Sequence, residues 1–307
     1  MRNSLSTALK DYLRLRRGLG FKLRDEQTVL GDFVRFLQRR GCDHITTNLA
    51  VQWATQPQGT LPAHWTRRLT MVRQFAIHRS AVDARTEVPP IGTLPFRYRR
   101  KSPYIYSDQE IVRLVRAARR LRSTRGMRPE TYATLLGLLA ITGLRVSEIV
   151  ALDREEVDLR ETTLTIRRSK FGKSRLVPLH PSTRHAMRRY ADLRSQIYPR
   201  PASPSFFLDE YGNRPSIWSV RWTFVKLCRQ VGLRGLTDSH GPRLHDLRHS
   251  FAVRTLVSWY RDGVDVEAYM PRLSTYLGHG HVTDTYWYVS ATPELLELAA
   301  ARLETAS

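Results

Sequence analysis

The segment Val88-Pro-Pro-Ile-Gly-Thr-Leu-Pro-Phe-Arg-Tyr-Arg-Arg-Lys-Ser-Pro103 holds four prolines and a glycine, so neither a long helix nor a central strand can run through it. It divides the 307 residues into two stretches, each long enough for its own core. The expected organisation is a helical domain over 1–88, a basic linker over 89–103 and a second domain over 104–307.

Charge narrows the partner. Fifty Lys and Arg against 28 Asp and Glu leave +22, which points to a polyanion, most simply nucleic acid. Only six of the fifty are lysines, so an arginine-rich genome would also inflate the count. Residues 1–100 hold 18 basic and 7 acidic side chains, which makes the leading domain the more densely basic. Arg67, Arg68 and Arg73 lie among the apolar positions of the segment from Trp65 to Ile77. With Arg97, Arg99, Arg100 and Lys101 of the linker, they are candidate contacts to a phosphate backbone. An exposed arginine face in solvent is the plainer reading of the same residues.

The longest nearly apolar stretch, Leu135 to Ile141, is far short of the roughly 18 residues that span a bilayer. Charges run through the opening MRNSLSTALKDYLRLRR, where a signal peptide would be apolar, so the expected location is the cytoplasm. Cys42 and Cys228 are too few for a zinc framework and read as reduced thiols.

Leu5, Leu9, Tyr12 and Leu13, then Val29, Leu30, Phe33, Val34 and Leu37, recur at helical spacing. Past the linker, Ser107-Asp-Gln-Glu110 has the form of a capping box, and Pro129-Glu130 open a helix ending near Thr142-Gly143. Thr163–Arg167 and Arg175–Leu179 alternate as two strands about the turn Lys170-Phe-Gly-Lys173. From Ser182 the pattern is mostly helical. The fold class expected is mainly α with a small antiparallel sheet. Thr292-Pro293 start a tail helix with a leucine and alanine face.

Five islands of the second domain stand in a telling order: Thr142-Gly-Leu-Arg-Val-Ser-Glu-Ile149, the Lys170 turn, His245-Asp-Leu-Arg248, Leu277-Gly-His279 and Tyr288. Together, with nine residues from His279 to Tyr288, they resemble the tyrosine recombinase (phage integrase) family. The resemblance is strong over residues 104–290. It extends more weakly to the leading domain, as a SAM-like core-binding domain that would clamp DNA in a C with an α+β catalytic domain.

The residue chemistry is consistent with that resemblance. A phosphodiester gains charge on its non-bridging oxygens when attacked, and two planar guanidiniums, Arg145 and Arg248, could clamp them. Glu148, one turn after Arg145, could hold that arginine or sit in solvent. His245 shares a helix face with Arg248 and could orient the phosphate or accept a proton. Asp246 and His249 flank this pair as supporting residues. His279 is expected at a sharp helix start. His279-x-His281 lacks the further ligands that a metal site needs, so no metal and no cofactor are expected.

The resemblance implies that Tyr288 is the nucleophile, giving a 3′-phosphotyrosine and a free 5′-hydroxyl. It implies Lys170 as the acid for the leaving oxygen, with Lys173 a phosphate contact. It further implies duplex DNA as partner, a homo-tetramer on paired sites, exchange through a Holliday junction and no small-molecule substrate. The stretch from Ser250 to Tyr276 is longer than in compact chromosome-resolving members, which argues for a mobile-element enzyme. The tail helix would pack into a neighbouring protomer or fold back on its own domain. A type IB topoisomerase-like enzyme and a catalytically silent DNA-binding accessory protein are the alternatives.

Overall fold

The computed structural model describes residues 4–94, 102–167, 174–290 and 292–306. The chain divides into two compact units, Met1–Lys101 and Ser102–Ser307.

The first unit is built of α1 (Leu5–Gly18), α2 (Arg24–Arg39), α3 (Thr47–Thr55) and α4 (Pro62–Ser80). Ser4 and Thr46 cap α1 and α3 by accepting from the Thr7 and Leu49 amides, and Pro62 opens α4 with its φ already set. Leu30, Phe33, Leu37, Trp53, Val72 and Phe75 fill the core. The Trp53 indole reaches the edge of this core and donates to Asp32 at 3.0 Å.

The second unit begins with α5 (Asp108–Ala118), where Ser107 and Glu110 make the reciprocal capping box expected. Next comes α6 (Met127–Thr142), apolar on almost every side because it packs against α5 and against two later helices, α8 (Pro181–Ile197) and α10 (Leu244–Arg261). Gly143 ends α6 at φ +60°, and the chain re-enters α7 (Val146–Ala151) with Arg145 at its N-cap.

A three-stranded antiparallel sheet of β1 (Val157–Asp158), β2 (Thr163–Ile166) and β3 (Arg175–Pro178) follows in that order. Leu164 pairs with Val177 and both are buried, fixing the register by the core-facing side. The remaining helices are α9 (Ile217–Gln230), α11 (Val266–Leu277), α12 (Thr283–Tyr286) and α13 (Pro293–Ala306). The fold is thus mainly α with a small antiparallel sheet.

In this chain α13 lies on α10 of its own unit. Leu295 is fully buried, Glu294 meets Arg261 at 2.6 Å, and Arg302 donates to the Val264 carbonyl at 2.5 Å.

Candidate active site

The C-terminal end of α11 organises the site. A helix leaves its last carbonyls without intrahelical partners. Here three successive ones are taken by three different arginines. Arg175 Nε donates to Tyr276 O at 2.7 Å, Arg248 Nη2 to Leu277 O at 2.6 Å, and Arg145 Nη2 to Gly278 O at 2.8 Å. The partial negative charge of the helix end favours these cations. Gly278 closes the helix at φ +69°, and a Cβ there would stand 2.8 Å from Arg175 Nη1, so only glycine lets the guanidiniums approach. His279 therefore follows a helix end, not the helix start expected from sequence, because Gly278 takes the left-handed turn that stops α11.

One carboxylate serves two of the arginines. Glu148 accepts from Arg145 Nη1 at 2.9 Å, from the Arg145 amide at 3.0 Å, and from Arg175 Nη1 and Nη2 at 3.1 and 2.9 Å. Burial pushes its carboxyl upward, but the hydrogen bonds from Arg175 and from the Arg145 amide outweigh that and leave it below its ordinary value. Arg248, also buried, spends Nη1 on Gly143 O at 2.8 Å. Burial, and then the charge of Arg145, pull its guanidinium down to about 10. Two guanidiniums thus share the Glu148 carboxylate, and the third, Arg248, is held by the carbonyl oxygens of Gly143 and Leu277. The surplus is positive, and Arg145, 19% exposed at its side chain, is open to an anion from solvent.

The histidines and the tyrosine stand beside this cluster. His245, in the first turn of α10, is exposed at one edge and faces Arg248 of the next turn with the other. Burial, then the neighbouring Arg248, lower its pKa to about 4, so the ring is neutral at neutral pH. His279 Nδ1 lies 2.7 Å from the buried Thr285 hydroxyl, and its ring stacks on Tyr288 with centroids 6.2 Å apart. Tyr288, two residues past α12, is 2% exposed, and its hydroxyl stands 3.2 Å from His249 Nδ1. Of the nearby tyrosines, Tyr286 points outward, and burial pushes Tyr276 up to about 12.

Five of the six expected catalytic side chains, Arg145, His245, Arg248, His279 and Tyr288, are thereby brought together. Lys170 lies outside the described residues, as do Arg97, Arg99, Arg100, Lys101 and Lys173. On α4, Arg67 is exposed and pairs with Asp25 at 2.8 Å. Arg68 is held against the Trp53 ring, 3.7 Å from its centroid, and Arg73 donates to the Pro89 carbonyl.

Two residues lay beyond the sequence reading, Arg175 and Arg221, and a third, His249, was given too small a part. Arg175 joins Glu148 from 27 positions away, a pairing no local pattern reveals. Arg221 of α9 reaches a cavity of about 440 Å³ that Arg145, Arg234, Arg243 and His245 also line. His249, read as a flanking residue, touches Tyr288; its signal was its place one helical turn after His245, on the same face.

Among the described residues no group of three or more metal-ligating side chains comes together, and no helix is long and apolar enough to cross a membrane. The XerH site-specific recombinase bound to palindromic difH substrate, in a post-cleavage complex, superposes with a TM-score of 0.66 at 16% identity, covering 91% of this chain and 78% of that one. The Tn1549 transposon integrase in complex with transposon right end DNA gives 0.66 at 14% identity, covering 97% and 98%. At these identities the likeness is one of fold. In sequence the chain is 50% identical over 301 residues to y4rB of Sinorhizobium fredii, which carries the name integrase/recombinase, covering 97% of this chain and 96% of the relative. The family model of the phage integrase family matches residues 105–294, the span that holds the arginine cluster, His245, His279 and Tyr288, and the chain belongs to that family.

Proposed function

We propose that this chain is a site-specific DNA recombinase of a mobile element, cleaving and rejoining duplex DNA through a 3′-phosphotyrosyl intermediate. The observation that carries the reading is the junction at the end of α11, where Arg145 and Arg248 stand within one hydrogen-bonded cluster and Tyr288 packs on His279.

In this reading Arg145 and Arg248 receive the two non-bridging oxygens of the scissile phosphate. Their charge, in surplus over Glu148, is matched only when that anion enters. His245 and His279 hydrogen-bond the same phosphate. Tyr288 Oη attacks phosphorus, the bond to the 5′-oxygen breaks, and Lys170 supplies the proton that lets that oxygen leave. The phosphotyrosine keeps the energy of the broken bond, so a 5′-hydroxyl from the partner strand reverses the step. Four protomers on paired sites, passing through a Holliday junction, complete the exchange. Arg67, Arg68, Arg73, the linker cations and Lys173 serve the DNA backbone.

The test is covalent trapping. Wild-type and Tyr288→Phe proteins are incubated with DNA flanking the gene, quenched in SDS, and the attached DNA is sequenced. An adduct with wild type alone supports the reading and reveals the site. DNA binding without any adduct from wild type counts against it.

A further inference from the structure

His249 is the imidazole to which the proposed chemistry gives no part, and it is the one against the reacting oxygen. It lies on α10 one turn after His245, and the two rings meet edge to face with centroids 4.7 Å apart. It is 6% exposed, and the Trp287 ring lies against it at 5.5 Å. Its Nδ1 stands 3.2 Å from Tyr288 Oη, so the phenol faces an imidazole nitrogen and not open water.

A phenol with an ordinary pKa near 10 is a poor nucleophile at neutral pH and needs an acceptor for its proton. A guanidinium has no lone pair to offer, so neither Arg145 nor Arg248 can serve. His279 turns its Nδ1 to Thr285, and the His245 ring meets His249 edge to face. We propose that His249 is a catalytic residue that takes the Tyr288 proton during strand cleavage and returns it during rejoining. The inference rests on the reading of Tyr288 as the nucleophile.

The step balances. With the ring proton on Nε2, the Nδ1 lone pair accepts the phenolic proton as the bond from Oη to phosphorus forms. The bond from phosphorus to the 5′-oxygen breaks, and that oxygen takes its proton from a separate donor, assigned above to Lys170. In rejoining, the 5′-hydroxyl attacks, Tyr288 leaves as phenolate, and Nδ1–H reprotonates it. Among the contacts described, the His245 ring of α10 and the Tyr288 phenol meet the His249 ring, His279 lies beyond Tyr288, and Arg248 is the preceding residue of α10. Arg248 makes a charged imidazole costly while the site holds no anion. A bound phosphate offsets that charge, so proton transfer is tied to DNA being in place.

The experiment measures single-turnover adduct formation on the DNA fragment recovered by trapping, from pH 5.5 to 9, with wild type, Tyr288→Phe and His249→Asn. Asparagine keeps a hydrogen-bonding atom near the Nδ1 position but cannot take up the proton. The expected result is unchanged DNA binding by gel shift, adduct formation slower by about 10²–10⁴-fold near neutral pH, and loss of the acidic limb of the profile. Added imidazole is expected to restore part of the rate in His249→Ala. A Tyr288-dependent adduct formed as fast by His249→Asn, with the same pH profile, overturns the proposal alone. An adduct that survives Tyr288→Phe overturns the reading of the nucleophile, and the proposal with it. A second measurement leaves His249 in place: nitrogen-15 NMR of the imidazoles without DNA. Tyr288→Phe should move the Nδ1 resonance of His249, and an unmoved resonance overturns the contact on which the proposal stands.

Discussion

Arg175 and Glu148 face each other fork to fork, Nη1 to Oε1 at 3.1 Å and Nη2 to Oε2 at 2.9 Å, with both side chains largely withdrawn from water. The pair joins β3 to α7, and through Arg145 it reaches the end of α11. Removing one partner strands the other as a buried charge. Arg175→Ala should therefore cost about 3–5 kcal/mol of stability, read as a lowered denaturant midpoint. Arg175→Lys should recover little, because an ammonium cannot bond both carboxylate oxygens and Tyr276 O at once.

Glu148 gives this cluster an acid limit. Its carboxyl lies below the ordinary value when folded, so its contribution is complete above the unfolded pKa and is lost as pH falls through the lower folded one. Wild type should lose stability as pH drops below about 4.5, the ordinary glutamate range. Glu148→Gln, less stable at pH 7, should show a shallower decline there in thermal melts across pH.

His245 acts in a different window. Its pKa falls from 6.5 to about 4 on folding, so the unfolded chain binds more protons between those values. Stability should decline as pH falls from 6.5 to about 4 and draw no further loss from this ring below that. His245→Gln should flatten that part of the profile. Proton NMR of the free protein should show the His245 ring still neutral at pH 5.5.

Two glycines set the turns that bring the arginines in. At Gly143, φ +60°, an added Cβ would lie 2.5 Å from Phe251 Cδ1, and at Gly278 it would lie 2.8 Å from Arg175 Nη1. Gly143→Ala and Gly278→Ala should each lose at least the roughly 1–2 kcal/mol of left-handed strain, before any displacement of the neighbours. Gly137→Ala, with nothing within 4 Å and mid-helix, should be neutral or stabilising in the same melts.

The tail bears on Tyr288 through packing. Leu295 is fully buried in the cluster that also holds Val253, Leu256, Leu277 and Tyr288. Leu295→Ala should cost about 2–5 kcal/mol, and truncation before Thr292 at least as much. An unchanged unfolding midpoint in either would mean that α13 does not rest on α10 in solution.

Much of the fold was legible because it is written in local chemistry. Ser107 and Glu110, three apart, announce α5 by themselves, and the alternation of residues 163–167 and 175–179 marks β2 and β3. β1, two residues long, has too few positions to show a period. The approximate place of the site was also legible, since His245 and Arg248 share a helix face by spacing alone. What joins the site was not. The bonds from Arg175, Arg248 and Arg145 to three carbonyls of α11 span 101, 29 and 133 positions and run to backbone atoms, which have no residue identity to read. His279 was misplaced at a helix start because a glycine before a polar residue suits either end of a helix, and only its φ decides.

The arginine knot at the end of α11 has a consequence for how copies of such a gene decay. Arg145 and Arg248 bond carbonyls of the fold, and Glu148 and Arg175 hold Arg145 and the end of α11 in place, so on the proposed mechanism a substitution that ends the chemistry there weakens the fold too, and the product is cleared with other unstable chains. Tyr288 differs. Phenylalanine fills the same space and gives up one hydroxyl contact. On the proposed mechanism, degenerate copies that persist as folded protein should therefore be silenced at Tyr288 more often than at the arginines, and would keep whatever DNA binding the intact chain has.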